Sequence, residues 1–94
     1  MFAFHSRYLV PLEEVDKHLD DHRAFLRSLI GKHLVCSGPQ VPRTGGFILL
    51  DAADKAEALK IMAGDPYVLH GVAEYDLIEF ELKSCAGGFR ELLG

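Results

Sequence analysis

His22 has the clearest capacity for chemistry in this chain. Its neighbours repeat with helical spacing, and a helical wheel sets it among Val15, Leu19, Leu26 and Leu29. A helix gains nothing in folding from an imidazole at the centre of its apolar stripe. Once buried, the ring needs a partner for at least one nitrogen. An imidazole titrating near neutrality is also a natural general base or acid. Two roles therefore fit His22: a core histidine held by a backbone carbonyl, or a proton-transfer group at a pocket. Asp65 is the second such residue. It precedes Pro66, so its carboxylate can cap the turn that the proline opens. A carboxylate can equally hold an imidazole in one tautomer and orientation, and one side chain can do both. Spacing alone does not say whether Asp65 and His22 meet.

The other polar groups carry weaker signals. His18 and His22 are four residues apart and share a helix face, which is half of a metal site. A third ligand would have to be His5, His70 or an acid. Neither an HExxH pattern nor a finger spacing occurs, and no metal is expected. The Gly38–Gly46 loop lacks the GxxxxGK[ST] spacing of a phosphate cradle, and no cofactor is expected. Arg43 in that loop can grip a carboxylate or phosphate, and Tyr8 can donate a phenolic proton. With Ser37, these two are the candidate substrate-binding residues, able to hold an oxygen on which negative charge develops. Cys36 and Cys85 form no CxxC and read as free thiols.

These side chains must be placed by a short series of elements. Residues 2–10 read as a strand that Pro11 ends, with Phe2, Phe4, Ser6 and Tyr8 on one face. A helix follows over residues 13–30, with Gly31 as its cap. Residues 33–37 form a strand, 38–46 a loop, and 47–50 a second strand. A second helix spans 51–62, capped by Asp51 or Asp54. After the turn at 65–71 comes a final strand over 72–82. The 84–94 tail has little pattern and is expected to dock through Phe89, Leu92 and Leu93. The order strand–helix–strand–strand–helix–strand predicts an α+β, ferredoxin-like split βαβ fold, a four-stranded antiparallel sheet with two helices on one face. The other face carries enough apolar residues to need covering, and a twofold homodimer is the simplest cover.

Composition bounds the function. The 94 residues are 49% hydrophobic and 26% charged, which suits one globular domain over residues 1–83 plus the tail. The formal charge of −4 leaves no basic field for a phosphate backbone, so no nucleic-acid partner is expected. No apolar run is long enough for a membrane span, and a cytoplasmic protein is expected.

An ordered set of short motifs resembles the YCII-related (YciI-like) family. It comprises Tyr8-Leu9, Asp21-His22-Arg23-Ala24-Phe25-Leu26, Gly31, Ser37-Gly38-Pro39, Gly45-Gly46, Asp65-Pro66-Tyr67, Gly71, Tyr75 and Phe80. The resemblance implies a ferredoxin-like fold in a dimeric α/β barrel. It also implies a pocket lined by the helix histidine and the aspartate of the Asp-Pro motif, which fall on His22 and Asp65. Some relatives degrade small molecules, including by eliminating chloride from chlorinated hydroxyquinols. The expectation that follows is a cofactor-independent lyase or isomerase of a small polar or cyclic metabolite, with a His22–Asp65 pair. The alternative is a non-enzymatic small-molecule-binding or accessory dimer. Contact between His22 and Asp65 at an open pocket would favour the first, and a sealed His22 held by backbone the second.

Overall fold

The computed structural model of the chain describes residues 1–92. Four strands form one antiparallel sheet: β1 (Phe2–Tyr8), β2 (Leu34–Pro39), β3 (Gly45–Leu50) and β4 (Ala73–Glu79), in the order β2-β3-β1-β4. β1 lies centrally, pairing Phe4 with Ile48 on one side and with Leu77 on the other. Its alternation is the reason: Phe2, Phe4 and Ser6 are buried, while His5 and Arg7 on the opposite face are exposed. Arg7 there bridges Glu74 and Asp76 of β4.

Helices pack against the buried face. Phe25 and Leu26 of α2 (Leu19–Ser28), its C-cap Leu29, and Ala58, Ile61 and Met62 of α3 (Lys55–Met62) close over Phe2, Phe4, Ile48 and Leu50. Asp54 caps α3, accepting from the Glu57 N–H at 2.8 Å. A smaller cluster of Val15, Tyr67, Val72 and Ala73 fills the other end of the sheet. It is built by α1 (Leu12–Asp16) and α4 (Pro66–Leu69), and α5 (Phe89–Leu92) lies beyond β4 in the chain.

Three expectations need correction. The barrel is absent: β2 and β4 lie at opposite edges of the sheet, each with one neighbour, and the sheet does not close. Closure would require those two edges to pair with each other. The single helix expected over 13–30 is two. The chain breaks at Lys17–His18, where His18 leaves helical geometry at φ −112°, ψ 6° to cap α2. The break lets Val15 turn into the small cluster while α2 faces the larger one. The glycines at 45 and 46 belong to β3, not to a loop. A Cβ on Gly45 would lie 1.8 Å from the Ser6 carbonyl oxygen, so only glycine permits this approach of β3 to β1. In the tail, Phe89 is partly buried, and Arg90 donates to the Leu82 and Lys83 carbonyls at 3.3 and 3.2 Å. Leu93 and the side chain of Leu92 lie outside the described residues. Among the described residues, no helix is long and apolar enough to cross a membrane.

Candidate active site

The turn between α3 and β4 places Asp65. Its side chain accepts from the Tyr67 N–H at 3.0 Å and starts α4, with Pro66 at the first helical position. The same oxygen, Oδ1, lies 2.7 Å from Nδ1 of His22. Tyr75 of β4 donates its hydroxyl to Oδ2. Three donors from three elements thus converge on a carboxylate that is 0% exposed. Such convergence is what makes a buried carboxylate tolerable. Burial, and then the adjacent Asp65, hold the Tyr75 phenol well above the ordinary tyrosine range, so it stays a neutral donor.

His22 sits one helix away. With Asp65 accepting, Nδ1 carries the ring proton, and Nε2 remains as the acceptor nitrogen. The ring lies flat on Tyr67, with centroids 3.9 Å apart and planes 3° from parallel. Its orientation is thereby fixed both in plane and by rotation.

A cavity of about 390 Å³ opens beside this pair, a size typical of small-molecule sites. α2 contributes Leu19, His22, Arg23 and Leu26 to its wall; β1 contributes Ser6 and Tyr8; β2 contributes Ser37, Gly38 and Pro39. Arg43, Gly46, Phe47, Ile48, Tyr67 and Tyr75 complete the lining. Of the five residues singled out from sequence, four line this cavity, and Asp65 stands behind His22.

Arg43 is less free than its loop position implies. It pairs with Asp16 at 2.6 Å, and its guanidinium lies 5.6 Å from the centre of the Tyr8 ring. Asp16 raises the Arg43 pKa further, and Arg43 in turn holds the Asp16 carboxyl below its usual range. Beside them, Tyr67 is 2% exposed, and its hydroxyl has no partner among the described residues. An unpaired buried hydroxyl costs roughly 1–3 kcal/mol. Burial, above all, pushes the Tyr67 phenol up to about 12.

Three contributors were not singled out from sequence: Ser6, Tyr67 and Tyr75. Ser6 shares a strand face with Phe2 and Phe4, and its Oγ accepts from the Gly46 N–H at 2.7 Å. Tyr75 alternates with Leu77, which marks it as inward-facing but not as a donor to Asp65. Tyr67 follows the Asp-Pro pair directly, and nothing local shows that its ring reaches His22. His18, read as half of a metal site, stacks on His70 at 4.0 Å. Among the described residues no group of three or more His, Cys, Asp or Glu is placed to hold a metal ion.

The sheet and its flanking helices have counterparts among known proteins. The family model of the YCII-related domain matches residues 1–81, and the chain belongs to that family. Its fold is similar to that of 5-chloro-2-hydroxyhydroquinone dehydrochlorinase (TftG) from Burkholderia phenoliruptrix AC1100, solved in complex with 2,5-dihydroxybenzoquinone. The TM-score is 0.71 at 18% sequence identity, covering 86% of this chain and 94% of that one. No curated protein sequence matches the chain.

Proposed function

We propose that the chain is a lyase or isomerase that removes a proton from a small, oxygenated cyclic metabolite, with His22 as the base and Asp65 as its orienting partner. The observation that carries this reading is the 2.7 Å contact between His22 and the fully buried Asp65 at the wall of an open cavity. A histidine kept only for packing needs neither a buried carboxylate nor access to a cavity.

The step balances simply. Nε2 takes a proton from the substrate, and the electron pair left behind expels the leaving group or shifts to the adjacent ring position. In an elimination the net products are the unsaturated ring and H–X, with the proton on His22 until solvent removes it. Asp65 keeps the proton on Nδ1 and offsets the imidazolium charge. Tyr8, Ser37 and Arg43 line the same cavity, and in this reading they would meet the substrate oxygen that gains negative charge. The relative's activity on a chlorinated hydroxyhydroquinone makes halogenated polyhydroxybenzenes the first substrates to test.

The test is halide release from such compounds by the wild type and by His22→Gln and Asp65→Asn. Loss of roughly 10²–10⁴ in kcat for His22→Gln, in a protein that still folds, is the expected result. Unchanged turnover in folded His22→Gln would sink the mechanism.

A further inference from the structure

The proton transfer described above does not use the hydroxyl of Tyr67. That side chain is nonetheless tightly held. His22 stacks on one face at 3.9 Å, and Tyr8 meets the ring edge-on at 6.0 Å and 86°. Its backbone N–H is bonded to Asp65 at 3.0 Å. The residue is 2% exposed, forms part of the cavity wall, and leaves its hydroxyl without a partner among the described residues. Phenylalanine would supply the same stack and the same edge contact without burying an orphaned donor. Buried polar groups in folded proteins are almost always hydrogen-bonded, so this one calls for an explanation.

The surroundings say what would satisfy it. The phenol is neutral at ordinary pH and therefore available as a donor. Arg43, the nearby cation, is already paired with Asp16 at 2.6 Å. A fully charged phosphate or carboxylate would compete with Asp16 there. A carbonyl or hydroxyl oxygen needs only a donor, which Tyr67 has. We propose that Tyr67 is a specificity-determining residue, whose hydroxyl donates a hydrogen bond to a carbonyl or hydroxyl oxygen of a ring-shaped ligand in this cavity. The inference rests on reading the cavity as the substrate site, and it adds the group that selects oxygenated rings over bare ones.

Tyr67→Phe keeps the ring and deletes only the donor. The probes are phenol, hydroquinone and toluene, titrated by NMR into the full chain and into the variant. Wild type should bind phenol and hydroquinone about three- to tenfold more tightly than toluene, and in Tyr67→Phe that preference should fall close to one. Without ligand, the variant should melt at or above the wild-type temperature, because an unsatisfied group has been removed. A wild type with no preference, a preference that survives in Tyr67→Phe, or a variant that loses several degrees would each overturn the proposal. The last result would mean that the hydroxyl has a structural partner. His22→Gln separates this idea from the mechanism. Retained preference with lost turnover supports both. Retained preference with intact turnover leaves Tyr67 standing and retires His22 as the base.

Discussion

The two apolar clusters on the sheet differ in what they bury. The larger one, Phe2, Phe4, Ile48, Leu50, Ala58 and Met62, holds aliphatic and aromatic side chains and no charge. The smaller one, Val15, Tyr67, Val72 and Ala73, adjoins the buried Asp65, whose carboxylate takes hydrogen bonds from the Tyr67 N–H, His22 and Tyr75. Burial of apolar area is non-directional and supplies stability. A buried carboxylate with three donors contributes little net stability, but it fixes those donors in place. The chain thus separates the region that keeps it folded from the region whose geometry must be exact to a few tenths of an ångström.

Substitutions on either side should break along that line. The largest effect belongs to His22→Gln: kcat falls roughly 10²–10⁴-fold, while the melting temperature moves little. Initial rates and a thermal melt, taken on one preparation, check both halves. In the dry cluster, Leu50→Ala should cost about 2–5 kcal/mol in urea unfolding, with kcat unchanged for the protein that remains folded. A matching loss of turnover would mean that the clusters are not separate.

Alkaline pH sharpens the contrast. The Tyr67 phenol, ordinarily near 10.0, is pushed up to about 12 by burial. Between those values the unfolded chain binds fewer protons than the folded one, so stability falls as pH rises through the window. Stability measured from pH 9 to 12 should fall more steeply in wild type than in Tyr67→Phe. Smaller still is Asp54→Ala, which removes the α3 cap and should cost about 0.5–2 kcal/mol without touching the cavity. Smallest is Arg7→Ala on the opposite sheet face. Its ion pairs with Glu74 and Asp76 are half-exposed, so the melt should not change measurably.

Much of this molecule could be read from residue patterns. The alternation of Phe2, Phe4 and Ser6 marks a strand with one buried face, and the imidazole inside an apolar stripe marks His22. Asp65 before Pro66 marks a cap, and the cap is there. What escaped reading was set by tertiary contact. No glycine or proline signals the break at Lys17–His18, because packing of Val15 against Tyr67 and Val72 decides it. Gly45 and Gly46 look like loop residues until β1 is known to run alongside. The stack of Tyr67 on His22 joins residues from different helices, and local propensity carries no information about it. The barrel implied by family resemblance depends on how sheet edges meet, which the pattern within one chain does not encode.

One oxygen of Asp65 serves both the first turn of α4 and the ring of His22. This sharing has an evolutionary consequence. If the proposed chemistry holds, a lineage that gave it up would still need the aspartate to shape the turn, so Asp65 would survive that loss. His22 also donates to the buried carboxylate, whereas the Tyr67 hydroxyl, without a partner among the described residues, has no such second employment and would drift first. Among descendants of this fold, the phenol, rather than the aspartate, would tell working copies from silent ones.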